Sequence, residues 1–266
     1  MKQVSIIMGI YNCEDTLRES IDSIINQTYT NWELIMCDDG SIDNTYNLAK
    51  EYEAKYNNII VIRNKKNEGL AKSLNNCLDI SRGEYIARMD GDDISLNNRL
   101  EEEMKYMLEN PDIDILGTSV YYFDEDGIWG KDKAKGKLDK IDIFCGRGFS
   151  HPTIIIKADV LKSVGGYRSN NLTYRAEDYD LWCRLYEKGY KGRNLEKPLL
   201  KYRVDKNAYK KRKYKYRVDE YKLKKYWFKR LRIQKKYRKY YIKPLIVGLI
   251  PSKLMMKYHK SKFKTK

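Results

Sequence analysis

The first 93 residues predict an α/β fold in which a Rossmann-like, mostly parallel central sheet is flanked by helices. One observation is a set of four short apolar segments, each the length of a buried strand, at residues 4–8, 33–37, 59–62 and 85–89. Another is that helical patterns fill the intervals between these segments. Strands that alternate with helices in this way are typical of a parallel sheet.

The three intervals each have a helical signature. Apolar residues recur at helical spacing after the first strand, from Leu17 to Ile25. Asp43 or Ser41 can cap the second helix, because short polar side chains accept hydrogen bonds from the first backbone amides. A third helix is expected at residues 70–79. The chain therefore passes through strand and helix in turn as far as the fourth strand.

Beyond the fourth strand the pattern is less regular. The expected elements are a helix at 99–109 ended by Asn110-Pro111, a strand at 114–123, a hairpin turn at 124–127, a charged mobile loop at 130–142, a strand at 154–156, a glycine turn at 165–167, and a helix that opens at 176–182. Trp182 lies on the apolar side of that last helix. We expect it in the core.

Polar residues follow all four predicted strands, and this is the third observation behind the fold. In chain order they are Tyr11 and Asn12, Asp38 and Asp39, Asn64 and Asn67, and residues 90–93. Ligands of open α/β sheets bind outside the carboxyl ends of the strands. Four strand ends that bear such residues predict one functional crevice at this edge of the sheet.

The fourth strand ends in the acidic turn Asp90-Gly91-Asp92-Asp93. Crowded carboxylates repel one another unless a positive charge lies among them. A hard divalent cation with oxygen ligands is one answer, and such a cation commonly shares its coordination with substrate phosphates. A solvated turn, favoured by the turn chemistry of Asp and Gly, is the other. The turn alone leaves both open.

Two common phosphate-binding motifs are absent from the sequence. The first strand is followed by Gly9-Ile10-Tyr11-Asn12 rather than Gly-x-Gly-x-x-Gly, and Gly-x-x-x-x-Gly-Lys-Ser/Thr does not occur. This disfavours a nicotinamide dehydrogenase or a P-loop enzyme. Phosphates in this protein are therefore expected to be held through a metal.

Charge divides the chain into an acidic body and a basic tail. Of the 53 Lys and Arg residues, 26 lie in residues 200–266 together with 3 acidic residues, which gives that segment a charge of +23. The rest of the chain has a charge of −7. We expect a catalytic domain at 1–200 and a basic, aromatic-rich helical extension at 201–266. Such asymmetry points to a polyanionic partner, either an acidic membrane surface or nucleic acid.

The tail interleaves Tyr with Lys and Arg. Its candidate apolar positions at helical spacing are Tyr214, Val218, Tyr221, Leu223, Tyr226, Phe228 and Leu231. A basic amphipathic helix can lie on an anionic bilayer, and residues 245–250 and 254–256 could dip into it. The same composition can bind single-stranded nucleic acid, or form a solvated charge run. The five cysteines include no Cys-x-x-Cys, which indicates reduced thiols.

Several of these segments together resemble family 2 glycosyltransferases, which are inverting enzymes with a GT-A fold that use nucleotide-sugar donors. The matching segments, in the order of the family, are residues 4–12, 32–41, 67–71, 83–93, 151–153, 165–167 and 177–178. They cover residues 3–200. Each segment alone is a weak signal, but the ordered set is specific.

The resemblance implies a donor site at the carboxyl edge of the sheet. The residues that would bind the donor nucleotide are Ile10, Tyr11, Asp39, Asn67, Arg88 and Asp90. Within this set, Asp39 would hydrogen-bond the uracil and Asp90 would contact the ribose. Asp39 could instead only stabilise the turn Asp38-Asp39-Gly40-Ser41, and Arg88 could instead pair with a buried acid.

The resemblance also places a metal and a base. Asp92 would ligate Mn²⁺ or Mg²⁺, and His151 would lie near the diphosphate or the metal. A lone His before Pro can equally be structural. Asp178 would be the general base, with Glu177 as its rival. Asp93 and Glu177 would either face the acceptor or support the residues that bind the ligands. Glu177 and Asp178 could instead be acids favoured by the helix dipole.

The expected chemistry follows from these roles. A divalent ion stabilises the charge that develops on the departing diphosphate. A carboxylate accepts the proton of the attacking hydroxyl, and a single inverting displacement needs no enzyme nucleophile.

The sequence therefore predicts a metal-dependent inverting transferase. It would move a sugar, most plausibly from a UDP-sugar, to a lipid-linked glycan in bacterial capsule, O-antigen or other surface-polysaccharide synthesis. We expect a cytoplasmic enzyme held peripherally at the inner face of the membrane by residues 201–266. The alternatives are a nucleic-acid-binding protein and a membrane-recruiting scaffold. Nucleic acid is disfavoured because a carboxylate-rich crevice repels phosphates.

Overall fold

The computed structural model describes residues 2–204 and 214–263. Its strands are β1 (Val4–Ile10), β2 (Trp32–Asp38), β3 (Ile59–Arg63), β4 (Tyr85–Arg88), β5 (Ile94–Ser95), β6 (Ile115–Asp124), β7 (Gly127–Lys131), β8 (Ile155–Lys157) and β9 (Gly192–Arg203). The four N-terminal strands and the hairpin between β6 and β7 are where the sequence predicts them.

Helices follow most of these strands. They are α1 (Glu14–Ile25), α2 (Thr45–Lys55), α3 (Leu70–Ile80), α4 (Arg99–Glu109), α5 (Lys140–Phe144), α6 (Ala158–Ser163), α7 (Glu177–Glu187), α8 (Tyr214–Arg230), α9 (Lys239–Val247) and α10 (Ser252–Phe263). The stretch predicted as a charged loop at 130–142 contains the end of β7 and the start of α5. Asp139 caps α5 by accepting hydrogen bonds from two backbone amides.

The central sheet is mixed, which corrects the expectation of a mostly parallel one. Its order is β3-β2-β1-β4-β8-β6-β9-β5, with β7 paired to β6. The first four strands are parallel, but β8 runs antiparallel to both β4 and β6. The reason is that the strand–helix alternation that predicts parallel pairing ends at residue 93. The later strands are joined by a hairpin and by long connections.

The core lies on both faces of this sheet because side chains alternate along each strand. In β1, Ile7 faces the layer that contains α3, α5, α6 and α7, whereas Ile6 and Met8 face the layer of α1, α2 and α4. Trp182 is 3% exposed in the first layer, so the prediction that it is a core residue is confirmed.

Helix α8 of the basic tail packs on the body of the protein. Leu223, Trp227 and Leu231 are buried in the same apolar cluster as Trp182. Two predicted apolar positions are wrong, because Tyr214 and Tyr226 are 46% and 40% exposed. The buried face of the helix is centred on Trp227 instead. The tail predicted from the sequence also includes residues 205–213, which lie outside the described part of the chain.

Candidate functional site

The acidic turn at the end of β4 brings three carboxylates together. Among the described residues, one oxygen from each of Asp90, Asp92 and Asp93 lies within 4.8 Å of the others. Two side chains of helix α1 fix the backbone of this turn by hydrogen bonds. Ser20 donates a hydrogen bond of 2.7 Å to the carbonyl of Asp90, and Thr16 donates one of 2.9 Å to the carbonyl of Gly91. The clustering that the sequence suggests is therefore present.

Arg88 neutralises one of these carboxylates. Its guanidinium donates two hydrogen bonds to the two carboxylate oxygens of Asp90, and its side chain is buried. Arg99 fixes the same strand end through a 2.9 Å hydrogen bond to the carbonyl of Arg88. A bidentate pair of this kind is geometrically specific. The sequence analysis gave Arg88 two alternative roles, a residue of the donor site or a partner of a buried acid. In the structure it pairs with Asp90, which is an acid of the candidate site.

Arg203, at the end of β9, connects to the other two aspartates. Its backbone amide donates a 2.8 Å hydrogen bond to Oδ1 of Asp93. Its Nε donates one of 2.7 Å to the carbonyl of Asp92, and its guanidinium also pairs with Glu19 at 2.6 Å. Asp93 and Arg203 are 110 positions apart in the chain, so no local sequence pattern could identify this contact.

The turn remains short of positive charge. Oδ2 of Asp93 is buried, and none of the residues that the structure describes donates a hydrogen bond to it. Desolvation, followed by the charge of Asp90, raises the pKa of Asp92 to about 6, and the same causes raise the pKa of Asp93 well above its usual range. An orphaned carboxylate oxygen among crowded oxygen donors is what a hard divalent cation needs. These residues fit Mn²⁺ or Mg²⁺.

Asp39 organises the loop after β3. Its Oδ1 accepts hydrogen bonds of 2.8 Å from the Asn64 amide group and from the backbone amide of Glu68, and its Oδ2 accepts one of 2.8 Å from the amide of Gly69. Gly40 makes the close approach of this loop possible. It has a φ of +73°, and a Cβ at this position would lie 2.8 Å from the carbonyl carbon of Lys66.

A cavity of about 320 Å³ opens above this loop. The sequence-predicted residues that line it are Ile10, Tyr11, Asp39, Asn67 and Glu177. The sequence analysis missed Arg168 and Arg175, which line it too. A neighbouring crevice of about 640 Å³ contains Asp90 and Asp92, and Tyr11 borders both spaces. The nucleotide-binding and metal-binding candidates therefore line two adjoining spaces.

Glu177 and Asp178 open α7 and face different spaces. Glu177 lines the 320 Å³ cavity, whereas Asp178 lines a larger cavity of about 830 Å³ on the side of the tail helices. Desolvation and the neighbouring Asp178 raise the pKa of Glu177 to about 7, and desolvation also raises the pKa of Asp178. A raised carboxyl pKa brings the group closer to the pH at which a general base works best.

His151 lies beside Arg88 but is not part of the three-carboxylate group. Its Nε2 is 2.9 Å from the hydroxyl of Tyr167, and its ring packs edge-on against Trp182. Burial and the positive charge of Arg88 hold the pKa of His151 well below its usual range. The imidazole is therefore neutral, which is also the form that binds metals.

The chain thus combines a mixed α/β sheet, an acidic turn at the end of β4 and paired carboxylates at the start of α7. The sequence profile described as glycosyl transferase family 2 matches residues 5–180. The chain belongs to glycosyl transferase family 2 and is a glycosyltransferase.

Relatives cover most of the chain. The protein named as the glycosyltransferase EpsE of Bacillus subtilis (strain 168) is 43% identical over 98% of this chain and 94% of its own length. The O-antigen biosynthesis glycosyltransferase WbnJ of Escherichia coli is 33% identical over 79% of this chain and 83% of its own. WfaP of Escherichia coli, named as a UDP-Glc:alpha-D-GlcNAc-diphosphoundecaprenol beta-1,3-glucosyltransferase, is 30% identical over 80% of this chain and 82% of its own.

The fold is also found in a solved structure. Residues 1–349 of TarS from S. aureus, in complex with UDP-GlcNAc, align with a TM-score of 0.73 over 94% of this chain and 72% of that one, at 21% identity. The α/β architecture with a mixed central sheet flanked by helices is thus shared, although the two sequences have diverged widely.

Proposed function

We propose that this glycosyltransferase moves a sugar from a UDP-sugar to a hydroxyl of a lipid-linked glycan in bacterial surface-polysaccharide synthesis. The observation on which this depends is that the cavity beside the Asp39 loop, which Glu177 also lines, adjoins the crevice of the acidic turn at Gly9 and Tyr11. The names of WbnJ and WfaP support the pathway and the acceptor class. UDP-GlcNAc in TarS supports the donor class.

The donor nucleotide would lie in the 320 Å³ cavity. Tyr11 and Ile10 form an apolar wall for the base, and Asn67 is exposed at its rim. For Asp39 to bind uracil, at least one of its loop hydrogen bonds would have to be shared with the base. Arg88 would act through Asp90, because its paired guanidinium fixes the carboxylate that would contact the ribose.

Asp92 would hold Mn²⁺ or Mg²⁺, with His151 as a further ligand or a neighbour of the diphosphate. When bound, the ion would supply Lewis-acid stabilisation of the diphosphate charge. Arg203 orients Asp92 and Asp93 through the backbone hydrogen bonds described above. For His151 to bind the metal, its Nε2 would have to share or leave the hydroxyl of Tyr167.

Asp178 would be the general base. It accepts the proton of the acceptor hydroxyl while that oxygen forms a bond to the anomeric carbon from the face opposite the leaving group. The bond between the anomeric carbon and the diphosphate oxygen breaks, and its electron pair leaves with UDP. The product sugar is inverted. Glu177, on the donor side of the same helix turn, would contact the transferred sugar.

The tail would hold the enzyme at the inner face of the membrane. Within residues 2–204 and 214–263, no helix is long and apolar enough to cross a bilayer. Apolar side chains of α9 and α10 are exposed nevertheless, among them Ile246 and Leu254. Exposed apolar groups on a strongly basic segment favour peripheral binding to anionic lipid.

Calorimetric titration with UDP and with GDP tests this function. The titrations would use Mn²⁺ or EDTA, on the wild type, Asp92→Asn and the control Asp112→Asn, which alters an exposed surface pair with Lys191. We expect manganese-dependent UDP binding that only Asp92→Asn abolishes. Absence of binding of either nucleotide to the wild type with metal present would overturn the proposal.

A further inference from the structure

The 830 Å³ cavity beside Asp178 lies between α7 and the three tail helices. Its lining includes Tyr179 and Trp182 of α7, Lys224 of α8 and Pro244 of α9. The base candidates Ile10 and Tyr11 line the 320 Å³ cavity and the ribose candidate Asp90 lines the crevice of the acidic turn, so none of the three lines this space. The cavity is therefore a second compartment, and the basic tail builds half of it.

Cations dominate the polar lining of this compartment. The charged side chains are Arg175, Arg217, Lys224, Lys243 and Lys262 against Asp178 and Glu220. Arg217 donates a 2.7 Å hydrogen bond to Oε2 of Glu220, so that acid is already paired. The remaining excess of positive charge suits an anion with several oxygens.

Lys224 is the most enclosed of these cations. The residue is 8% exposed, and its Nζ lies 3.7 Å from Oε1 of Glu220 and 4.9 Å from the ring centre of Tyr179. Burial lowers the pKa of this ammonium group. A buried lysine whose acidic neighbour is shared with an arginine gains most when an anion enters, since a buried charge needs full compensation.

The other end of the compartment is apolar and continues onto the surface. Val247, Ile250, Leu254 and Met255 line it. Outside the cavity the apolar surface extends to Leu249, which is 74% exposed. A single ligand that satisfies both ends has a strongly anionic head and a long hydrocarbon chain.

We propose that this compartment binds the lipid diphosphate of the acceptor. Lys224 and Lys243 hold the diphosphate, the apolar residues of and between α9 and α10 receive the first isoprenoid units, and the sugar is presented to Asp178. This rests on the proposed transfer to a lipid-linked glycan. The alternative occupant with the same chemistry is the headgroup of an anionic phospholipid, which has one phosphate rather than two.

Binding of farnesyl diphosphate, in EDTA so that the acidic turn has no metal, tests the proposal directly. We expect Lys224→Gln and Lys243→Gln each to weaken binding by about tenfold, the loss of a charge-assisted contact. The matched control is Lys222→Gln, on the exposed side of the same helix. Lys224→Arg should restore binding in part. Equal affinity of Lys224→Gln, Lys243→Gln and wild type would overturn the proposal.

The hydrocarbon end has its own pair of variants. Ile250→Ser should weaken the binding of farnesyl diphosphate. Ile242→Ser, at an exposed position of α9 that does not line the cavity, should not. Vesicles of phosphatidylglycerol separate the two sources of phosphate. If they displace farnesyl diphosphate as effectively as unlabelled farnesyl diphosphate does, the compartment is a headgroup site and the proposal fails.

Manganese-dependent UDP binding, measured on every variant, separates this proposal from the proposed function. Variants that bind UDP like the wild type are folded and keep the donor site. UDP binding without Lys224-dependent or Lys243-dependent farnesyl diphosphate binding overturns the acceptor assignment alone. Loss of UDP binding in the wild type overturns the function on which it rests. Lys243 is exposed, so its variant remains informative if Lys224→Gln does not fold.

Discussion

The indole Nε1–H of Trp227 donates a 3.0 Å hydrogen bond to Oδ1 of Asp180. Asp180 lies two residues after Asp178 in α7, and Trp227 is the central buried residue of α8. Arg184 binds the other carboxylate oxygen of Asp180 at 2.8 Å. The tail helix and the helix of the candidate base are therefore joined through one buried carboxylate, and the position of the tail affects the geometry of the site.

Replacement of Trp227 should destabilise the whole protein. The residue is 0% exposed, and Trp227→Ala should cost about 3–5 kcal/mol because it leaves a large cavity. Trp227→Phe should cost about 1–3 kcal/mol, since Asp180 loses a donor while much of the ring volume remains. Urea unfolding measures both. Tyr226→Phe, at the exposed neighbour, is the control and should lose little stability. A Trp227→Ala variant as stable as the wild type would show that the tail does not support the fold.

Arg203→Met should weaken metal binding. It removes the guanidinium contacts to Asp92 and Glu19 but keeps the backbone hydrogen bond to Asp93. We expect the Mn²⁺ concentration needed for UDP binding to rise by about tenfold or more, as is usual when groups that orient metal ligands are lost. Arg230→Met is a matched control because it also removes a 2.6 Å pair with a glutamate, Glu187. An unchanged manganese requirement in Arg203→Met would contradict this role.

Gly40→Ala should impair UDP binding selectively. The new Cβ would meet the backbone of Lys66 at 2.8 Å and displace the loop that Asp39 organises. Gly165→Ala introduces the same backbone strain without the steric clash. Gly165 has a similar φ of +77°, and no described atom lies within 4 Å of its Cβ position. Both should lose about 1 kcal/mol or more of stability from the left-handed backbone. Calorimetry should find weaker UDP binding only in Gly40→Ala. Equal UDP affinities of the two variants would show that the position of the Asp39 loop does not affect nucleotide binding.

The pH dependence of kcat should reflect the ionisation of Asp178 in α7. Only the deprotonated Asp178 can accept a proton, so kcat should rise with pH through its raised pKa. The acid limb at saturating Mn²⁺ should therefore lie above the ordinary aspartate value of 3.8. Glu220→Gln should move the limb to lower pH, because the negative charge of Glu220 contributes to the raised pKa of Asp178. Glu187→Gln, at the far end of α7, should leave it in place. A limb that Glu220→Gln does not move would point to another base.

The N-terminal half of the fold is predictable because its signals are local. Each of β1 to β4 is an apolar segment followed within two residues by a polar one, and the parallel register then places those polar residues at one edge. Tyr11, Asp39 and Asp90 are found there for that reason. The family resemblance added roles to these positions, and the roles of individual residues remain predictions.

The rest of the site depends on long-range contacts. Arg203 lies in a basic stretch of the sequence, and only the pairing of β9 with β6 and β5 brings it to Asp93. Trp227 escaped the apolar periodicity of α8 because Lys224, on the same buried side, is a cation. A lysine in a cavity wall breaks the hydrophobic pattern, and that departure from the pattern coincides with the compartment beside Asp178.

The end of β9 also limits how this enzyme could exchange parts with its relatives. The strand continues through Arg203, whose backbone amide is bound to Asp93, and the chain then leads to α8 and the cavity beside Asp178. A hybrid that took its C-terminal segment from another transferase at residue 200 would replace Arg203, the residue that binds its own acidic turn. If the proposed roles of the turn and of the compartment hold, such an exchange would change metal affinity and acceptor binding together.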